Sequence, residues 1–133
     1  MIGKNNPLNV RKSSNQWLGQ TGSTKGFCDF QNTDYGVRAA MYLICKTYRL
    51  RYGLKTYAQL LSRYAPPKEN VTSRYIKYVC ANIFAHPSDS PFTIHPESRI
   101  PMMLHFMSKF EGNEVSMIDC LRVYRQYKKD FKL

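Results

Sequence analysis

From about residue 33 onward, apolar side chains fall every three or four positions, the repeat that gathers them on one face of a helix. Residues 35–52 carry Val37, Ala40, Met41, Ile44 and Tyr48 at this spacing, and Gly53 supplies a natural stop. Thr56 and Gln59 have the separation of a capping box and open a short helix through Leu60, Leu61 and Tyr64, which Pro66 and Pro67 end. A third helix starts near Thr72 and shows Ile76, Val79, Cys80 and Ile83 on one side. After a Pro-containing connector, 86–95, Pro96 suits the first turn of a fourth helix. Its stripe of Ile100, Met103, Leu104 and Met107 leads to Phe110 and Glu111 before Gly112 breaks it. Ser116 with Asp119 caps a last helix that carries Leu121 and Tyr124 inward.

The first thirty residues lack this repeat. Short strand-like runs at 8–12 and 26–30, separated by Gly19, Gly22 and Ser/Thr turns, predict a two-stranded hairpin lobe over about 8–31, beside a helical lobe of about 33–131. A chain of 133 residues buries one core, so the expected architecture is a single mainly α (α+β) domain, 1–133. A cleft between hairpin lobe and helices is the natural place for a ligand.

Two segments have no core-facing periodicity: NNPLNVRKSSNQWLG at 5–19 and YAPPKENVTSRY at 64–75. Each packs amide, aromatic and basic side chains with turn-forming Pro or Gly, a composition that suits a hydroxyl-rich ligand such as a glycan strand. Asn5, Asn6 and Asn9 either donate to sugar hydroxyl and acetamido groups or satisfy their own turns, the usual reason for Asn beside Pro. Trp17, the only Trp, either stacks on a sugar ring or fills the small lobe's core. Tyr64 and Tyr75 flank the second segment, and one or both complete apolar helix faces. Glu111 ends a strongly apolar helix and precedes a Gly, where core gives way to cleft. Partial desolvation there raises a carboxyl pKa, as a general acid for glycosidic bond cleavage requires; a solvated helix-end Glu is the plain alternative.

Twenty Lys and Arg against nine Asp and Glu give a formal charge of +11, which calls for an anionic partner. Nucleic acid, an acidic membrane surface and a bacterial wall with peptide carboxylates and teichoic or lipid phosphates all qualify. The basic tail RQYKKDFK, 125–132, reads as the solvated face of the terminal helix. There is no run of about 18 apolar residues, and MIGKNNP lacks the apolar core of a secretory signal, so synthesis in a cytoplasm without a signal peptide or membrane insertion is expected. Cys28, Cys45, Cys80 and Cys120 are too widely spaced for a zinc site, and Cys45 and Cys80 read as free buried thiols. His86, His95 and His105 read as structural, and the absence of G-x-S-x-G, P-loop and H-E-x-x-H removes the hydrolase classes built on them. No cofactor or metal is expected.

Taken together, NNPLNVR (5–11), WLG (17–19), FCDF (27–30), GVRA (36–39), APPKENVTSRY (65–75) and FMSKFEG (106–112) resemble a group of phage and prophage proteins often labelled virion or structural proteins. More distantly, the order of Asn motif, W-x-G, aromatic strand, helix and paired tyrosines is similar to that of cell-wall glucosaminidases of the autolysin and flagellar type. Asn6 and Arg11 match the ends of their first motif, Trp17 and Gly19 the second, Tyr64 and Tyr75 the last. In that family the catalytic Glu precedes the Asn motif. Here a helix ending in Glu-Gly lies near the other end, so the resemblance implies a circularly permuted lysozyme-like domain in which Glu111 takes the catalytic place.

The resemblance implies a monomeric enzyme cleaving peptidoglycan glycan strands, by hydrolysis or lytic transglycosylation. Glu111 would be the acid, with Tyr75, alone or with Tyr64, positioning the oxocarbenium-like centre; Asn6, Asn9, Arg11, Trp17, Tyr64 and Asn70 would hold substrate. Asp29 and Asp34 are the candidates for a second carboxylate. Such a protein reaches the wall through a holin pore, a virion or a secretion system, whose proteins become partners. The competing expectations are a non-catalytic phage or mobile-element structural or wall-binding protein and, third, a basic nucleic-acid-binding domain.

Overall fold

The structure, a computed structural model, describes residues 1–65 and 69–133, without the side chains of Glu69 and Asn70. It is mainly helical, with one two-stranded antiparallel hairpin. Strands β1 (Gln20–Thr24) and β2 (Phe27–Phe30) turn through Lys25 and Gly26, whose φ values of 50° and 84° are those of a type I′ turn. The strand expected at 8–12 is instead an irregular strip on the free edge of β2. Arg11 bridges to Phe27, the Cys28 N–H donates to the Val10 carbonyl (3.0 Å), and the Lys12 N–H donates to the Gly26 carbonyl (2.9 Å). Asn9, at φ 52°, bends this strip out of extended form. The true partner, β1, is QTGST, with four of its five residues exposed, and carries no apolar alternation by which it could be read.

Helix α1 (Thr33–Tyr42) is capped by the Asn32 side chain, which accepts from the Tyr35 N–H, and buries Val37, Ala40 and Met41. It runs straight into a π-helical segment, Leu43–Arg51, where the expected helix 35–52 widens. Arg49 gives the reason. Its Nε donates to the Cys45 carbonyl at 2.7 Å, taking an acceptor site inside the turn, while Nη2 donates to the Phe131 and Lys132 carbonyls, each at 2.9 Å. Helix α2 (Tyr57–Tyr64) begins in the expected Thr56–Gln59 capping box. Helices α3 (Glu69–Asn82), α4 (Pro96–Phe110) and α5 (Met117–Tyr127) follow, with α2 on α3, α3 on α4, α4 on α5 and α5 back on α1.

The α4 stripe Ile100, Met103, Leu104 and Met107 is fully buried; each such side chain contributes roughly 1.5–3 kcal/mol. In α5 the inward residues are Cys120, Val123 and Tyr124, whereas Leu121 is only partly covered. The basic tail departs from its reading as a solvated helix face. Helix α5 ends at Tyr127, and the chain then folds back so that Phe131 is fully buried, 6.4 Å edge-on to Tyr42, with Arg49 holding its carbonyl. All four cysteines are free and buried, and burial pushes the Cys45 and Cys120 thiols up to about 12, so they stay unreactive. Among the described residues, no helix is long and apolar enough to cross a membrane.

Candidate functional site

The amino-terminal loop is held against the helices by three side chains that come from far along the chain. Asn113 Nδ2 donates to the Pro7 carbonyl (3.3 Å), the Tyr64 hydroxyl donates to the Leu8 carbonyl (2.6 Å), and Asn9 Nδ2 donates to Glu111 Oε2 (2.9 Å). Consecutive residues 7, 8 and 9 are thus each tied to the end of α2 or of α4. Gly36 lets the loop approach α1: a Cβ there would lie 2.2 Å from the Asn5 carbonyl oxygen. Asn5 and Asn9 take left-handed backbone (φ 55° and 52°), which Asn tolerates better than other side chains.

Glu111 is placed by the end of α4. The Gly112 N–H donates to Lys109 and the Asn113 N–H to Ser108, with Gly112 at φ 79°, which together form a Schellman motif. The motif stops the helix at Glu111, so its carboxylate leaves the helix toward the loop. Burial raises the Glu111 pKa from its ordinary value, and the Asn9 hydrogen bond opposes this in part.

Glu111 and the loop open onto a groove of about 1010 Å³. Asn9, Arg11, Lys12 and Trp17 supply its loop side; Thr47, Tyr48, Arg51 and Tyr52 from the π-helical segment, with Arg63 and Tyr64 of α2, supply the helix side. The widened winding matters here. At roughly 82° per residue, Leu43, Thr47, Tyr48, Arg51 and Tyr52 span an arc of about 115°, whereas α-helical winding spreads them over about 180°. The i−5 hydrogen bond from the Tyr52 N–H to the Thr47 carbonyl carries the repeat to its last member.

Of the residues expected at a site, Glu111, Asn9, Arg11, Trp17 and Tyr64 come together in this groove. Asn6 does not. It is fully buried, its Nδ2 donates to the Val10 and Cys28 carbonyls (both 2.9 Å), and its Oδ1 accepts from the Val10 N–H (2.8 Å), so it braces the loop and has nothing left for a ligand. Tyr75 does not line the groove either. It is buried, stacked 4.7 Å from Phe110, behind Glu111. Burial first and the nearby Glu111 second push its hydroxyl well above the usual range, so it stays protonated; that hydroxyl and Asn9 Oδ1 are buried without a hydrogen-bond partner among the described residues. The Asn70 side chain lies outside the described residues. Trp17 combines its two expected roles: it is 7% exposed and packs edge-on to Tyr42 at 5.3 Å, yet borders the groove.

Neither candidate for a second carboxylate reaches the groove. Asp29 accepts from the Lys4 N–H and the Thr24 hydroxyl, and Asp34 pairs with Arg122 at 2.7 Å. The three histidines lie elsewhere, His105 being bonded through Nδ1 to the Val115 carbonyl. Sequence reasoning missed Asn113, Tyr48, Arg51, Tyr52 and Arg63. The clustering of Tyr48, Arg51 and Tyr52 at one helix end was a usable signal, but α-helical spacing places all three beside the core stripe of Val37, Ala40, Met41 and Ile44.

The fold and site therefore define a mainly helical α+β protein with a basic groove holding one partly buried carboxylate. The chain matches no protein-family model. It is similar to Protein P5 of Pseudoalteromonas phage PM2, with 35% identity over 80 residues, covering 56% of this chain and 49% of the phage protein. The chain thus matches about half the length of that relative.

Proposed function

We propose that the groove binds a glycan strand of bacterial peptidoglycan and cleaves it, with Glu111 as the general acid. The observation that carries this reading is the state of Glu111. It is a partly buried carboxyl with a raised pKa, oriented by Asn9 and facing a groove of about 1010 Å³. Glu111 is the only carboxylate lining the groove among the described residues. That favours a one-acid route. Glu111 protonates the bridging oxygen, the glycosidic C–O bond breaks, and a hydroxyl of the same sugar closes on the oxocarbenium-like carbon, returning its proton to the Glu111 carboxylate. Tyr64, through the Leu8 carbonyl, and Tyr75, packed behind Glu111, are positioning residues; Asn9, Arg11 and Trp17 hold sugar.

The likeness to a phage protein fits the resemblance to phage and prophage proteins; the permuted lysozyme-like domain, acting at the wall after release by a holin, a virion or a secretion system, belongs to the proposal. The test is clearing of purified sacculi by wild type and Glu111→Gln. Loss of at least about a hundredfold in rate is expected, the size of a general-acid contribution. Equal clearing by both proteins removes Glu111 from catalysis, and tight binding without clearing by either leaves a wall-binding module.

A further inference from the structure

The groove's cations differ from four other arginines of the chain in what they are paired with. Arg38 and Arg122 are paired with aspartates, and Arg49 and Arg99 donate to backbone carbonyls. Arg11, Lys12, Arg51 and Arg63 all border the groove, and among the described residues none has a carboxylate partner. Three are laid on aromatic faces. Arg63 lies 4.3 Å from the Tyr52 ring centre and 5.9 Å from that of Tyr48, Arg51 lies 5.7 Å from Tyr52, and Arg11 lies 4.9 Å from Phe27. A guanidinium held over an aromatic ring keeps N–H groups free for donation to a carboxylate.

Resting on the glycan-cleaving reading above, we propose that the groove selects an anionic strand: Arg51 and Arg63, seated on Tyr48 and Tyr52, bind carboxylates of the peptide substituents while neutral sugars meet the Asn9–Glu111 pair. The groove's lining joins two kinds of chemistry, the amide–carboxyl pair of Asn9 and Glu111 and a cationic, aromatic set from the π-helical segment and α2. A strand with charge only on its side branches matches both. A phosphodiester chain, charged at every unit, would drive anionic groups onto Glu111.

The experiment measures sedimentation binding of the Glu111→Gln protein, which leaves the wall intact, to native sacculi and to sacculi whose carboxyls have been amidated with carbodiimide and ammonia. Native sacculi should bind roughly tenfold more tightly, and added salt should erase the difference. Adding Arg51→Gln and Arg63→Gln should abolish the preference while circular dichroism and melting stay unchanged; single Arg51→Gln and Arg63→Gln proteins serve if the combined protein melts early. Equal binding to native and amidated sacculi overturns the proposal, as does a preference that survives both substitutions or tighter binding to single-stranded DNA than to sacculi. Charge selectivity without Glu111-dependent clearing would leave this inference standing and remove the cleavage step; Glu111-dependent clearing without selectivity would do the reverse.

Discussion

Replacing Asn9 by Asp tests whether residues 9 and 111 meet. Asp keeps the size of Asn and tolerates the left-handed backbone at φ 52°, so the change is chiefly one of charge. The Asn9 Nδ2 to Glu111 Oε2 distance is 2.9 Å, which puts the two carboxylate charge centres about 4 Å apart. At an effective dielectric near 20 their repulsion is about 4 kcal/mol, and because both groups are partly exposed, screening reduces this to on the order of 1–2 kcal/mol. For a chain of this length that is a melting-temperature loss of roughly 5 °C. The sign with pH follows from linkage. The folded pair shares a proton that the unfolded chain releases freely, so the variant matches wild type near pH 4 and falls behind as pH rises through the carboxylate range. Calorimetry of both proteins from pH 4 to 8 reads this directly. A deficit independent of pH would mean that the two side chains do not meet.

Three further outcomes follow from the same contacts. Tyr64→Phe removes the donor to the Leu8 carbonyl and should cost about 1–3 kcal/mol in urea unfolding, with little change in the slope against denaturant. Gly36→Ala sets a methyl 2.2 Å from the Asn5 carbonyl oxygen, so the loop must lift off α1; chemical denaturation should show a loss of at least about 1–3 kcal/mol, and a neutral result would refute the close approach. Glu111→Gln should stabilise the protein at pH 7–8. The Glu111 pKa is raised in the folded state, so ionisation penalises folding from the ordinary carboxylate value upward, and melting curves of mutant and wild type should converge as pH falls toward 4.

The sequence made visible whatever depended on local repeat or capping. The α4 stripe from Ile100 to Met107, the Thr56–Gln59 box and the stop at Gly112 are written in neighbouring residues, so they and the exit of Glu111 from its helix were legible. The groove was legible only in part, because Asn9 and Glu111 meet across 102 residues and Tyr64 reaches Leu8 across 56, separations that no local pattern encodes. Asn6 and Asn9 look alike in sequence. One is consumed by three backbone groups, and the other, on left-handed backbone at φ 52°, meets Glu111 at the groove. The π-helical segment was hidden for a related reason. Its cause is Arg49 reaching Cys45 and the chain's last residues, and a helical repeat read at 100° per residue sets Arg51 and Tyr52 beside the core stripe, whereas both are exposed at the groove.

The central claim, that Glu111 is the acid of a strand-cleaving groove, is tested most directly by mass spectrometry of the soluble fragments released from purified peptidoglycan. Wild type should release glycan fragments ending in an intramolecular anhydro sugar, and Glu111→Gln, folded and still bound to sacculi, should release none. The same fragments from both proteins, or no fragments from wild type that binds the sacculi, would contradict the account.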